Sequence, residues 1–148
     1  MKPFYLTTAI DYPNGAPHLG HAYEKVLADA IARHVRRTGR AVYFLTGLDQ
    51  HGQKVQQTAE KAGIHPATHV KKTSKLFTRL WEALVISHDA WIETTDDRHK
   101  TVVRSLLQKL YDAGEISKGT YRGYYSVRQE QYITVKERRE DGTFGPEW

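Results

Sequence analysis

Apolar and polar positions change period several times along the chain. Residues 4–10, FYLTTAI, are β-branched and aromatic and predict a buried strand. DYPNGAP (11–17) follows; Pro13, Asn14, Gly15 and Pro17 are turn formers, so it predicts a loop. From His18 to Arg37 the period becomes helical, with Leu19, Tyr23, Val26, Leu27, Ala30, Ile31, His34 and Val35 on one face. Gly39 ends that helix, and Arg36, Arg37 and Arg40 surround its negative end. AVYFLTGL (41–48) is a second near-continuous apolar run, as expected of a parallel strand covered on both faces. Strand, helix and strand make a βαβ unit, expected to cross over right-handedly. DQHG (49–52) lies at the carboxyl end of the second strand. A short helix is predicted from Gln53 to Ala62, stopped by Gly63, and Pro66 starts a longer one striped by Val70, Phe77, Leu80, Trp81 and Leu84. DAWIETT (89–95) reads as extended. Thr95 or Asp96 can cap a further helix carrying Val102, Val103, Leu106, Leu107 and Leu110, which Gly114 closes.

After Gly114 the character shifts to short strands and turns, with Gly119, Gly123 and tyrosines at 121, 124, 125 and 132. A boundary is placed near residue 117, dividing the chain into 1–117 and 118–148. The tyrosines alternate as in a strand and are expected to pack a small domain rather than to stack on bases. The chain closes on GPEW without a helix cap or polar tail, so a piece of a longer protein is expected. No repeat or low-complexity tract interrupts it.

A chain of 148 residues suits one domain with a real core. Charged residues are 26% and hydrophobic ones 39%, an ordinary globular balance. No apolar run nears the roughly 20 residues of a membrane span, and no leader pattern precedes Phe4. A cytoplasmic protein without a membrane partner is expected. Cysteine is absent, which excludes disulfides, thiolate zinc and a cysteine nucleophile. The net charge of +5 permits a polyanionic partner without requiring one.

The candidate chemistry lies in APHLGHAYEK (16–25). Ligands of open α/β sheets bind at the carboxyl ends of the strands, and both DYPNGAPHLGH and DQHG are placed there. The first also opens a helix, whose free N–H groups and dipole favour an anion. His18 and His21 are three residues apart and share one side of the first turn, while Gly20 lets a bulky ligand approach the backbone. Two imidazoles there suit phosphate oxygens and the charge developing on them, which suggests attack at a nucleotide α-phosphate. Such a pair also arises by chance. A metal cluster of His18, His21, Asp49 and His51 is a further reading, although Gly20 between the histidines fits nucleotide contact better. Asp49 reads equally as the N-cap of the next helix, Tyr12 as a packed loop aromatic, and His51 as a supporting or capping group. His88 and His99 read as structural or surface residues.

PHLGH resembles the HIGH motif of the class I aminoacyl-tRNA synthetases, with Leu19 in the variable second place. TTAIDYPNGAPHLGHAYEKVLADAIAR, FLTGLDQHGQKVQQTAEKAGI, LVISHDAWIETTDDRHK and GYYSVRQEQYI resemble the methionyl branch of that family over essentially the whole chain. The isoleucyl, valyl and leucyl branches share the HIGH motif, but TGLDQHGQK points to methionine. The resemblance implies a Rossmann-type (HUP-like) α/β fold, a parallel sheet with flanking helices. Residues 1–117 would be the first half of the catalytic domain, and 118–148 the start of a β-rich connective insertion. It implies ATP-dependent activation of methionine and transfer to tRNA(Met), with Mg2+ accompanying ATP. Pro17, His18, Gly20 and His21, with Tyr12, would contact ATP, the two histidines being the catalytic pair. Ile10 and Tyr12 would line the methionine pocket, and Asp49 would take the substrate ammonium, a sound charge pairing.

The sequence also departs from the family pattern. The lysine-rich KMSKS motif is missing; VKKTSK (70–75) lies too early and inside a predicted helix. No anticodon-binding helical domain is present. Where many members hold a cysteine-bound zinc, YYSVRQEQY offers Ser126, Arg128 and Gln129, so no zinc is expected. The chain by itself is therefore expected to fold but not to charge tRNA. Arg33, Arg36, Arg37 and Arg40 could meet tRNA phosphates or serve as a dipole complement on a solvated face. The alternative functions are a small adenylyltransferase with a histidine-x-glycine-histidine turn, and a non-catalytic tRNA- or partner-binding module.

Overall fold

The alternation of apolar strand runs with helical periods becomes, in a computed structural model that describes residues 2–146, a parallel sheet with crossover helices. The order is β1 (Phe4–Asp11), α1 (Leu19–Arg37), β2 (Val42–Leu48), α2 (Gln53–Lys61), α3 (Pro66–Ala83), β3 (Ala90–Glu93) and α4 (Asp97–Asp112). A hairpin of β4 (Tyr124–Ser126) and β5 (Gln131–Ile133) follows. The end of GPEW, Glu147 and Trp148, lies outside the described residues. Two compact units divide within α4, Met1–Ser105 and Leu106–Trp148. The composition change near residue 117 falls in the stretch without regular structure that follows α4.

In the first unit the strands run parallel in the order β1-β2-β3. Phe44 and Leu48 of β2 pack on Ala28 and Ala32 of α1, Phe77 and Trp81 of α3, and Ile86. Burying each large apolar side chain contributes about 1.5–3 kcal/mol. β2 and β3 approach closely at Gly47, where a Cβ atom would lie 2.0 Å from the Ile92 carbonyl oxygen. Only glycine fits that position.

Two expectations are corrected. First, among the described residues of the Met1–Ser105 unit the sheet face that bears Tyr5 and Tyr43 is left open at those positions. Right-handed crossovers between consecutive strands place their helices on the same side, and Tyr5 and Tyr43 stack on the open side at 5.8 Å, both exposed. Second, the apolar stripe of α1 is not its buried face. Leu19, Tyr23, Val26, Leu27 and Ile31 are exposed, while Lys25, Ala28, Asp29 and Ala32 are buried. Small alanines let the helix lie close to β2, and both charged residues are paired, which offsets part of the cost of burying them. The further helix forms as expected: α4 starts at Asp97 with Asp96 Oδ1 accepting from Arg98 N–H at 2.9 Å, and its residues 101–112 are exposed.

Arg36 and Arg37 lie in the last turn of α1, as a dipole complement requires, and most of the arginine cluster also makes contacts within the protein. Arg33 donates to Asp29 and to Val85 O, Arg36 to Ser87 and Asp89, and Arg40 to Lys2 O and Pro3 O. Three of the four arginines are thus cross-links to other segments. VKKTSK lies within α3.

In the second unit, Ser126 and Ile133 are the buried positions of the hairpin. Tyr132 meets Tyr121 and Tyr125 edge to face at 4.5 and 5.2 Å, and Tyr124 lies 4.9 Å from Phe144. The tyrosines therefore pack on one another.

Candidate active site at the histidine turn

The turn from β1 into α1 is organised by its two histidines. His18 is the N-cap of α1, and its Nδ1 accepts the Gly20 N–H at 3.1 Å. Three residues on, His21 Nδ1 accepts the His18 N–H at 3.0 Å. This is a capping box built from imidazoles instead of a hydroxyl and a carboxylate. It fixes the chemistry of both rings. An Nδ1 that accepts a backbone N–H carries no proton, so each neutral ring holds its proton on Nε2. The rings stack at 3.8 Å, and His21 packs edge-on against Phe77 at 5.3 Å. Two Nε2–H donors thus sit at a helix N-terminus with no acidic residue in its first turn, an arrangement that suits an anion.

Burial pushes the His21 pKa below the ordinary histidine value, and the carboxylate of Asp11 only partly opposes this. His21 is thereby kept as a neutral donor around neutral pH. Gly20 also leaves room for the cap: a Cβ there would lie 3.0 Å from His18 Cε1 and 3.1 Å from His18 Nδ1. The space above Gly20 belongs first to the capping ring.

The second strand end is joined to this turn through Asp11, whose carbonyl accepts the Asp49 N–H at 2.9 Å. Asp49 is not the N-cap of α2; that position is Gly52, without a side-chain cap. Instead Asp49 Oδ1 accepts from Thr94 Oγ1 at 3.3 Å and from His51 N–H at 3.4 Å, which holds the carboxylate at the carboxyl ends of β2 and β3. His51 Nε2 lies 3.2 Å from Thr94 O, a supporting contact. Tyr12 is half-exposed, and a Cβ at Gly52 would be 3.6 Å from its ring. Ile10 is partly exposed opposite Gly47, just past a register irregularity after Thr7. Pro17 is half-buried before the cap.

A cleft of about 640 Å³ opens between the Gln50–His51 loop and Pro66, Val70 and Ser74 of α3. None of Ile10, Tyr12, His18 and His21 lines it. Among the described residues no three histidine, aspartate or glutamate side chains converge to hold a metal ion. The motif reading missed Asp11 and Lys25, which lie buried beside His21. Their only sequence signal is a pair of charges at a strand end and one turn into the following helix.

Comparison with known proteins places this geometry in a family. The model of the family described as "tRNA synthetases class I (M)" matches residues 4–140. The methionine--tRNA ligase of Deinococcus radiodurans is 50% identical over 137 residues, covering 92% of this chain and 20% of that protein. That of Rhizobium meliloti is 47% identical, covering 99% of this chain and 29% of that protein. The chain thus spans between a fifth and three-tenths of the length of these relatives. The structure of Mycobacterium tuberculosis methionyl-tRNA synthetase in complex with methionyl-adenylate superposes with a TM-score of 0.89 at 48% identity, covering 97% of this chain and 28% of that one. A LeuRS of Agrobacterium radiobacter K84 reaches 0.80 at 21% identity and shares the fold. The TGLDQHG stretch, which closes β2 and continues past it, and a family match over nearly the whole chain set the adenylyltransferase alternative aside: this chain belongs to the class I tRNA synthetase (M) family, with the methionine--tRNA ligases as its relatives.

Proposed function

We propose that this chain supplies one wall of the active site of a cytoplasmic methionine–tRNA ligase. In this reading the Met1–Ser105 unit carries the ATP and methionine contacts, and residues 118–148 begin the connective insertion. A methionine carboxylate oxygen attacks the α-phosphorus of ATP, forming the mixed anhydride methionyl-adenylate and breaking the bond to the β-phosphate, so that pyrophosphate leaves. The 3′-terminal ribose hydroxyl of tRNA(Met) then attacks the activated carbonyl carbon and AMP departs.

The chemistry is one of positioning and charge stabilisation. The Nε2–H groups of His18 and His21 donate to phosphoryl oxygens as charge builds on them. Pro17, Gly20 and Tyr12 shape the nucleotide contact. Ile10 and Tyr12 face the methionine side chain, and Asp49 pairs with its ammonium. Mg2+ would accompany ATP as a counter-ion to its phosphates. Without cysteine, the chain has no thiolate with which to hold zinc. No helix among the described residues is long and apolar enough to cross a membrane.

The observation that carries the reading is the reciprocal imidazole cap, which leaves two Nε2–H donors at the α1 N-terminus beside a strand end that holds Asp49. Calorimetric titration of the 148-residue chain with ATP and with methionine tests it. ATP binding is expected to be lost in His21→Ala with methionine binding kept, and the reverse in Asp49→Ala. Equal loss of both ligands in both variants, or no effect of either, overturns the assignment of roles. The chain alone is expected to form no methionyl-tRNA, since it has no KMSKS lysines.

A further inference from the structure

Beneath the histidine turn lies a charge that the reaction above does not use. Lys25, one helical turn beyond His21, has a fully buried side chain. Its Nζ lies 2.9 Å from Asp11 Oδ2, 3.1 Å from Asp11 Oδ1 and 2.6 Å from Glu24 Oε2. It donates to Ala9 O at 3.0 Å and sits 5.7 Å from the centre of the Trp81 ring. Asp11 is itself buried, and its Oδ1 lies 3.9 Å from His21 Nε2.

A carboxylate beside an anion-binding imidazole works against the site in two ways. It repels an incoming phosphate, and it favours imidazolium. A doubly protonated His21 has no free Nδ1 lone pair, so it cannot accept the His18 N–H that caps α1. Something must cancel Asp11, and Lys25 is placed to do so. We propose that Lys25 is a positioning residue for His21: its buried ammonium pairs with Asp11 under the turn and cancels the carboxylate, so that His21 remains a neutral, capped Nε2–H donor open to phosphate. The phosphate half of this proposal rests on the function proposed above; the charge coupling does not.

The groups facing His21 from each neighbouring element support the assignment. His18 stacks on it from the cap, Asp11 reaches it from β1, Glu24 and Lys25 lie on α1, and α3 offers the uncharged edge of Phe77. Glu24 is held by other bonds, its carboxylate accepting from Lys25 and, at 2.9 Å, from the Ala9 N–H, and its pull on the imidazole is smaller than that of Asp11. Asp11 is therefore the main counter-charge acting on the imidazole. The rival view is a purely structural buried pair, replaceable by apolar residues with little consequence. It predicts no change in His21.

The test follows the His21 ring nitrogens by NMR across pH 5–9 in the 148-residue chain, with ATP titrations at both ends of the range. In the wild type, His21 is expected to titrate below the ordinary 6.5, with Nδ1 unprotonated above that midpoint. Lys25→Met should raise the midpoint by about one pH unit. It should also weaken ATP binding about tenfold at high pH, the loss shrinking as His21 takes up its proton at low pH. Asp11→Asn should lower the midpoint, and Lys25→Met with Asp11→Leu should bring it back near the wild-type value. A folded Lys25→Met with an unmoved His21 midpoint overturns the proposal. Should that variant not fold, Asp11→Asn decides, because Lys25 keeps Glu24 and Ala9 O as partners; an unmoved midpoint there overturns it equally. If the midpoints move as expected but the wild type binds no ATP, the charge coupling stands and the nucleotide reading falls.

Discussion

The two histidines of PHLGH do two jobs with two nitrogens each. Nδ1 closes the helix cap and Nε2 is left to donate, so cap and donor are coupled through the tautomer. A similar economy holds at Asp29. Its Oδ1 accepts the Ser87 N–H at 2.7 Å and the Ser87 hydroxyl at 2.5 Å, and its Oδ2 accepts Arg33 Nε at 2.5 Å. Burial alone would raise its pKa, but the Ser87 and Arg33 bonds together hold it below the usual carboxylate value of 3.8. A depressed folded pKa stabilises the fold fully above the unfolded value, and that stability is lost as pH falls through the folded one. Asp29→Asn should therefore be less stable than wild type by about 1–3 kcal/mol at pH 7, and the gap should close below about pH 4. Urea unfolding at several pH values checks this; a gap that is the same at every pH rules it out.

At the scale of elements, periodicity and punctuation in the sequence located most of the structure. Gly63 and Gly114 stop α2 and α4 with positive φ values of 65° and 77°, and Pro66 opens α3. The close approach at Gly47 carries no such local signal, since a glycine inside an apolar run states nothing about the strand that will lie beside it. The Cβ of Gly47→Ala would meet the backbone oxygen of Ile92, which cannot swing aside as a side chain can. The substitution is expected to cost about 2–3 kcal/mol and to unpair β3 from β2. Denaturation together with hydrogen exchange at residues 90–93 measures both effects. Full protection of β3 in the variant would contradict the account.

At the scale of the whole chain, the apolar stripe of α1 and the sheet face bearing Tyr5 and Tyr43 are exposed among the described residues, although their composition is that of a core. The stability of the Met1–Ser105 unit should accordingly be indifferent to that stripe. Leu27→Lys and Ile31→Lys are expected to change the unfolding free energy by no more than about 0.5 kcal/mol. Ala32→Leu, on the opposite face of the same helix against Phe44, should cost about 1–3 kcal/mol. Thermal and urea unfolding of the three variants compare the faces, and a large loss from Leu27→Lys would show that the stripe is buried in solution.

The sequence by itself determined the elements, the βαβ order, the turn that bears His18 and His21, and the family. Each of these depends on neighbours within a few residues or on a contiguous motif: a helical period, a glycine with positive φ, a proline at a helix start, PHLGH or TGLDQHG. Only the tertiary structure decided which face of α1 is buried, why Gly47 must be glycine, and that Asp49 braces the strand ends instead of capping α2. It also decided that Arg33, Arg36 and Arg40 are cross-links, and that Lys25 lies hidden under Asp11 and His21. These outcomes rest on partners 14 to 58 residues away along the chain. The physical reason is that a charged residue reads as exposed until its counter-charge is known, and an apolar stripe reads as buried until its neighbour is known.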